Sequence, residues 1–113
     1  MISVRKFISI TLLSALCSGC SVTAAVKGQS TDGREKFEGT ATGYADGSGT
    51  LEIKSNRGRT CTGTFVYVTY RDGEGTFTCN DGASGPFRFV STGTKGTGTG
   101  NLNGRQFTFT FGV

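Results

Sequence analysis

The feature that most constrains the fold of this chain is an alternation of aromatic and hydroxyl residues close to its C-terminus. Residues 107–111 read Phe-Thr-Phe-Thr-Phe, and aromatic residues also alternate with other residues at 65–67 and 87–89. Successive side chains of a β-strand point to opposite faces of the sheet, so every Phe of 107–111 lies on one face and every Thr on the other. After the first 20 residues nothing repeats at helical spacing. The sequence therefore predicts an all-β domain of antiparallel strands.

Glycine-containing turns then predict how neighbouring strands pair. Asn103-Gly104 is typical of a two-residue type I′ hairpin, and it places Phe107 opposite Gly100 and Phe109 opposite Gly98. A ring over a glycine on the next strand shields backbone and recovers stability that glycine costs a strand. Four more loops extend the scheme: Gly93-Thr94, with Phe89 beside Gly98; Asn56-Arg57-Gly58, with Phe65 beside Gly49; Arg71-Asp72-Gly73, with Tyr67 beside Phe77; and Asp81-Gly82-Ala83, with Phe89 beside Gly75.

This scheme gathers the large apolar side chains on one face of a meander of about seven strands. That face must be hidden from water, and curling the sheet into a small barrel hides it while removing the unpaired edges. We therefore expect a small antiparallel barrel; a flatter sheet covered by a partner is the alternative. The residues assigned to the apolar face are Leu51, Ile53, Cys61, Phe65, Tyr67, Phe77, Cys79, Phe87, Phe89, Phe107, Phe109 and Phe111.

The N-terminus has the organisation of an export signal. Arg5 and Lys6 precede a ten-residue apolar stretch, residues 7–16, which is shorter than the roughly 20 residues that a membrane-spanning helix needs. The next five residues, Leu16-Cys17-Ser18-Gly19-Cys20, resemble the lipobox of bacterial lipoproteins, although Cys17 stands where an apolar residue is usual. The resemblance implies cleavage after Gly19 and attachment of acyl chains to Cys20.

If Cys20 carries the lipid, two or three acyl chains give effectively stable membrane attachment. Ser21 follows the anchor in place of the Asp that retains many lipoproteins in the inner membrane, so the resemblance implies an outer-membrane protein that faces the periplasm. The membrane is then a partner through the anchor. The alternative is ordinary signal cleavage after a small residue such as Ala25, which would release a soluble secreted protein.

These observations divide the chain into a signal peptide with its helix (1–19), a lipid anchor and flexible tether (20–34), and an antiparallel β domain (35–113). Residues 21–34 are small and polar without a periodic pattern, which is typical of a linker. Without Arg5 and Lys6, ten basic and eight acidic residues remain, a net charge of +2. The remaining charge forms neither a basic cluster nor a stripe, so we expect no nucleic-acid partner.

A glycine-containing pattern recurs along the predicted domain. The segments Gly49-Thr50-Leu51, Gly75-Thr76-Phe77 and Gly98-Thr99-Gly100 are each followed by a turn and an aromatic strand. This arrangement is similar to the β-hairpin repeats called MORN repeats, especially where 73–77 run into Asn80-Asp81-Gly82. The resemblance implies a hairpin architecture and no particular activity.

Two cysteines, Cys61 and Cys79, remain inside the predicted domain. Export to an oxidising compartment predicts a disulfide between them. The pairing scheme instead places Cys79 opposite Phe65, about 13 Å along the strand from Cys61, whereas bridged Cα atoms lie within about 7 Å. Three alternatives remain: a bend or bulge after Cys61, a slip in the register, or two buried, reduced thiols.

Catalytic and metal-binding chemistry is poorly represented. The chain has no His and no Trp, and only eight carboxylates, so Ser/His, Cys/His and zinc sites lack a necessary member. Asp72 and Glu74 are close in sequence, but turn carboxylates usually serve backbone geometry. We therefore expect no enzyme activity, no metal and no cofactor.

The sequence thus favours a non-enzymatic, lipid-anchored cell-envelope protein that serves as a structural or protein-binding module. The alternative is a periplasmic inhibitor of an envelope-attacking enzyme such as lysozyme, which would need a protruding loop. Residues 69–75 are the best candidate for that loop. The predicted contact residues are Tyr70, Arg71, Asp72 and Glu74.

Overall fold

The computed structural model describes residues 20–112, which form a closed antiparallel barrel of eight strands joined in sequence order. The predicted signal helix and its cleavage site lie outside the described residues, apart from Cys20 itself. Among residues 20–112 there is no helix with the length and apolarity that a membrane crossing requires. The strands are β1 (Ser21–Ser30), β2 (Lys36–Tyr44), β3 (Ser48–Ser55), β4 (Thr60–Tyr67), β5 (Asp72–Cys79), β6 (Ser84–Ser91), β7 (Lys95–Leu102) and β8 (Arg105–Gly112).

The predicted all-β barrel is confirmed. It has eight strands where about seven were expected, because the segment predicted as a flexible tether (20–34) contains a strand. Residues 21–30 are not a linker: β1 pairs with β2 on one side and with β8 on the other. Without β1, the barrel would have two open edges with unpaired N–H and C=O groups, and β1 satisfies both. The domain therefore begins at Ser21 rather than at residue 35. All eight strands of the closed sheet and the hydrophobic core that they enclose lie within residues 21–112.

The barrel interior is aromatic and its exterior is polar, as the alternation predicts. All twelve residues assigned to the apolar face belong to the core, ten of them buried and Tyr67 and Phe111 packed against it. The outward positions of the same strands carry Thr, Lys, Glu and Arg, for example Thr97 paired with Thr110 and Arg88 paired with Thr99. The wall of the barrel therefore meets water.

Rings packed over glycines are confirmed as the main packing device. Gly98 lies between Phe89 and Phe109, and Gly100 lies between Phe87 and Phe107. A Cβ added at Gly100 would come within 2.8 Å of Phe107 Cε1 and 2.9 Å of Phe87 Cβ, so no other residue fits without a shift. The Asn103-Gly104 turn is also confirmed, with positive φ at both residues and Leu102 opposite Arg105.

Two loops differ from the predicted scheme. The β4–β5 connection is made by residues 68–71, so Tyr67 pairs with Gly73 and not with Phe77. The predicted register would have set two large rings face to face inside the barrel, whereas the observed one gives each ring a glycine: Phe65 pairs with Gly75, and Phe77 pairs with Gly63.

The β5–β6 connection is shifted by two residues. Residues 80–83 form it, so Phe87 pairs with Gly75 and Phe89 with Gly73, in place of the predicted pair of Phe89 with Gly75. Both shifts are even numbers of residues. An even shift keeps each side chain on its face, which explains why the core was predicted correctly from an incorrect register.

The slip between β4 and β5 also resolves the conflict over the cysteines. Cys61 and Cys79 are direct cross-strand partners with Cα atoms 3.9 Å apart, and a disulfide joins them. The predicted disulfide is therefore confirmed, and the predicted position of Cys79 opposite Phe65 is wrong. Both cysteines are buried in the core.

Candidate functional site

The two ends of the barrel are built differently, and one of them holds a cavity. We call the end formed by Cys20, Gly112 and loops 45–47, 68–71 and 92–94 the rim end, and the opposite one the base end. A cavity of about 520 Å³, here called the cup, reaches from the rim end to Leu51 and Phe87, midway along their strands. Its size falls within the range of small-molecule sites, and an eight-stranded barrel can hold one small ligand.

The lining of the cup is uncharged. Aliphatic side chains of β1 to β3 form one wall and aromatic rings of β4, β6 and β8 form the other, with Tyr and Thr residues near the mouth. None of the described residues that line it is Asp, Glu, Lys or Arg, so the cup suits an apolar ligand. The main lining residues are Val22, Ala24, Val26, Ala41, Gly43, Tyr44, Leu51, Phe65, Tyr67, Phe87, Phe89, Phe109 and Phe111.

Small residues on β1 and β2 create the empty space. Ala24 pairs directly with Ala41, and Gly43 follows two positions later on the same inward face. Among the inward-facing strand glycines of residues 21–112, Gly43 alone has no atom of the described residues within 4 Å of an added Cβ. Elsewhere in the barrel a ring or neighbouring backbone fills that position. The cup is therefore a local departure from the packing rule that holds in the rest of the interior.

The aromatic wall of the cup is a rigid cluster around Phe89. The rings of Phe65, Tyr67 and Phe111 meet Phe89 edge to face, with centroids 5.2, 5.3 and 5.5 Å away. This geometry places positive ring edges on negative ring faces and fixes each ring relative to the next. The wall is therefore preorganised, which lowers the entropic cost of holding a ligand.

A short hydrogen-bond chain holds the mouth of the cup. The Tyr67 hydroxyl donates to Ser91 Oγ (3.2 Å), and Ser91 donates to the Arg71 carbonyl through its Oγ (3.3 Å) and its backbone N–H (2.8 Å). These bonds tie the β4–β5 loop to β6. Tyr67 thus presents an apolar ring to the cup while its polar atom is satisfied at the rim.

The four predicted contact residues are only partly brought together. Tyr70 is 85% exposed at the tip of the β4–β5 loop, and the Arg71 guanidinium lies 5.4 Å from the centroid of its ring. Asp72 starts β5, where its carboxylate accepts a hydrogen bond from Thr69 Oγ1 (2.9 Å). Glu74 points outward from the barrel wall. Tyr70 and Arg71 therefore form the protruding tip, and the two carboxylates lie together on the outward face of β5 beside it.

The base end is covered by an ionic cluster around the buried Glu35, next to a layer of rings. Glu35, with a side chain 1% exposed, has Oε1 3.3 Å from Arg59 Nη1 and 3.7 Å from Arg105 Nη1. Arg59 Nε also donates to Asp81 Oδ2 at 2.8 Å. The pKa of Asp81 is lowered, first by the Ala83 backbone N–H and then by Arg59. This cluster joins the β1–β2, β3–β4 and β5–β6 loops to each other and to the start of β8.

Asp46 stabilises a turn, and the acidic residues of the described chain form no metal site. In the β2–β3 turn, hydrogen bonds from the Ser48 hydroxyl (2.6 Å) and backbone N–H (3.0 Å) lower the pKa of Asp46. Within residues 20–112 no three His, Cys, Asp or Glu side chains come together as metal ligands.

The cup is hard to recognise in the sequence because its defining residues are small. Ala24 and Val26 alternate with Thr23 and Lys27, a weak strand signal inside a segment whose composition is typical of a tether. That alternation is the available clue. Cys20, in contrast, is exposed on the rim and contributes to the lining of the cup mouth.

Comparison with known proteins supports the architecture alone. No family model matches the sequence, and the search of curated proteins returns no match. Two solved structures share the fold. A de novo designed fluorescence-activating beta barrel has a TM-score of 0.62 and 16% identity, covering 80% of this chain and 89% of the design. A redesigned beta barrel, mFAP1, described as bound to DFHBI, has a TM-score of 0.67 and 15% identity, covering 80% of this chain and 92% of that one.

Proposed function

We propose that this protein is a non-enzymatic binding module of the bacterial cell envelope, anchored by lipid on Cys20, whose cup receives a small apolar ligand. The observation that carries the proposal is the uncharged cavity of about 520 Å³ beside Gly43. Most interior glycines are covered by rings or backbone, whereas the space beside Gly43 is open, and we infer that this space holds a ligand. One barrel of similar fold is described as bound to DFHBI, and this supports the proposal that the cup of the present barrel holds a ligand.

The envelope part of the proposal is supported by the sequence and by the cysteines. The lipobox-like segment ends at Cys20, and the Cys61–Cys79 disulfide is of the kind that persists in oxidising compartments such as the periplasm. We place the protein on the outer membrane, facing the periplasm, with the membrane and a further envelope protein as partners.

Filling the cup should abolish ligand binding without unfolding the barrel. Gly43→Phe places a ring in open space, because no atom of residues 20–112 lies within 4 Å of the new Cβ. We expect affinity for an apolar fluorescent probe to fall at least about tenfold, since the probe and the new ring compete for one volume. Titration of the probe into residues 20–113 measures the effect, and the melting temperature should fall little or rise.

Thr40→Phe is the matched control for this experiment. Thr40 is exposed on the same strand and faces outward, so the control adds the same ring outside the cup. Equal probe affinity in the two variants, or no binding by the unmodified barrel, would remove the ligand-binding proposal.

Lipid attachment is tested separately by metabolic labelling. Cells that express the full chain are grown with a radiolabelled or alkyne-bearing fatty acid. The wild type should be labelled strongly and Cys20→Ala only at background level, because the proposed acyl chains attach to that cysteine alone. Cys17→Ala is the control, and it should retain label. Label that persists in Cys20→Ala, or a wild type without label, would refute the anchor at Cys20.

A second candidate function is inhibition of an envelope-attacking enzyme such as lysozyme. The observation that favours it is the exposed Tyr70 with Arg71 beside its ring, on a loop that hydrogen bonds to β6 hold in place. A rigid aromatic tip of this kind is typical of interface hot spots. Inhibition of lysozyme that is lost in Tyr70→Ser but kept in Gly43→Phe would favour this function over ligand binding.

A further inference from the structure

The exposed apolar side chains of the barrel are all at one end. Six large hydrophobic residues of the described chain are substantially exposed, and each lies in a rim loop or within two residues of the rim end of its strand. They occur on both sides of the barrel, on β1 and β2 and again on β4 to β6. The six are Val22, Tyr44, Val66, Val68, Tyr70 and Val90.

The base end and the wall differ from the rim end. The base loops expose charged and amide groups, among them Arg34, Arg57 and Asn80. The wall carries Thr, Lys and Glu at its outward positions, such as Thr62 beside Thr78. A surface that is apolar at one end only is not explained by folding, since the core is complete without these six residues.

The hydrophobic attachment of the chain enters at the same end. Cys20 lies on the rim, and β1 begins at the next residue, so no spacer separates the attachment point from the barrel. The apolar residues 7–16 precede this point in the sequence. Whether acyl chains on Cys20 or that apolar segment holds the protein, the rim end is the part brought to the membrane.

The chemistry of the rim suits a lipid surface. Tyr44 and Tyr70 combine an apolar ring with a polar hydroxyl, as aromatic residues at membrane interfaces do. Val22, Val66, Val68 and Val90 add apolar area near the same level of the barrel. Two acidic residues, Asp46 and Asp72, and two basic residues, Arg71 and Lys95, lie at the same end, so the rim carries no net charge that would require anionic headgroups.

We propose that the rim end docks onto the lipid bilayer, so that the cup opens into it and takes up an acyl chain of a membrane phospholipid. The choice of acyl chain rests on the proposed ligand-binding function, whereas the docking surface stands on the six exposed residues and the position of Cys20. The barrel stands upright on the membrane with its polar wall in water. An acyl chain would lie along the aromatic wall formed by Phe65, Phe89 and Phe109.

Vesicle flotation tests the docking surface without help from the anchor. Residues 20–113 are produced without lipid and mixed with vesicles of phosphatidylcholine alone. The barrel should float with the vesicles, and the triple variant Val66→Thr, Val68→Thr, Tyr70→Ser should partition at least about tenfold less, because it loses apolar area at the rim. The matched control is Lys54→Thr, Arg57→Ser, Thr62→Ser, three exposed changes away from the rim, and it should float like the wild type.

Site-specific dyes test the orientation. In a Cys20→Ser background, an environment-sensitive dye is attached at Thr94→Cys in a rim loop or at Arg57→Cys in a base loop. Vesicles should shift the emission of the dye at position 94 to the blue and leave the dye at position 57 unchanged. A wild-type barrel that does not float, a rim variant that floats equally well, or equal shifts from both dyes would overturn the docking proposal.

The two proposals fail in different ways. Binding of a free fatty acid, measured without vesicles, reports on the cup alone. Gly43→Phe should weaken this binding. Fatty-acid binding without flotation would keep the ligand-binding function and refute the docking. Flotation without fatty-acid binding would keep the docking surface and refute the acyl chain as ligand. If both proposals hold, Gly43→Phe should float with vesicles like the wild type and bind the free fatty acid more weakly.

Discussion

Replacing Gly98 by valine is expected to destabilise the barrel by about 3 kcal/mol. Gly98 lies between the rings of Phe89 and Phe109, and an added Cβ would also meet the backbone carbonyl of Arg88 at 2.5 Å. A ring can rotate away from such a contact, but a carbonyl in a closed sheet cannot move without disturbing its hydrogen bonds. The cost therefore combines overpacking with displacement of β6 or β7.

Thermal unfolding of residues 20–113 measures this effect. For a domain of this size about 4 to 8 °C of melting temperature corresponds to each kcal/mol, so we expect a fall on the order of 15 °C. Thr99→Val is the control, because Thr99 is exposed on the neighbouring position of the same strand and faces outward. Its melting temperature should change little. Matching melting curves for the two variants would mean that rings resting on glycine do not stabilise this barrel.

Loss of the disulfide is the second large effect, with an expected destabilisation of about 3 kcal/mol for the double variant Cys61→Ala, Cys79→Ala. The bridge joins residues 18 apart in sequence, and a cross-link of that span removes conformational freedom from the unfolded chain. It also fixes the register between β4 and β5, the pair of strands whose alignment the turn residues leave ambiguous.

Denaturant titration with and without reductant separates the cross-link from the loss of buried sulfur atoms. Reductant should lower the unfolding midpoint of the wild type and leave that of the double variant unchanged. The reduced wild type should be more stable than the double variant, since it keeps two buried side chains. A wild-type midpoint that is insensitive to a reductant shown to open the bridge would contradict the stabilising role assigned to it.

The predicted alignment was correct at the two hairpins with two-residue turns and wrong at the β4–β5 and β5–β6 loops. Asn103-Gly104 and Gly93-Thr94 determine their hairpins by themselves, because their turn types permit one alignment of the flanking strands. The β4–β5 loop has no such determinant: Arg71-Asp72-Gly73 and residues 68–71 are both acceptable turns. The observed choice depends on contacts far from the turn, where Cys61 meets Cys79 and Phe77 covers Gly63.

The candidate site was harder to predict than the fold. Its aromatic wall follows from alternation, but the empty space depends on Ala24, Ala41 and Gly43, whose small side chains give little periodic signal. These small residues leave a cavity only because β1 lies against β2 and the rings on the opposite wall do not fill the space beside Gly43. A cavity is a property of distances between strands, and no turn or motif in this chain encodes those distances.

The sequence by itself determined which residues are inside and which are outside. The period of two in a strand makes that division independent of register, so even shifts in two loops left the predicted core intact. The tertiary structure alone decided that residues 21–30 close the barrel, that Cys61 faces Cys79, and that a cup opens beside the exposed apolar rim. Each of these depends on which strand lies next to which, and that is settled by burying the edges and rings of the whole chain together.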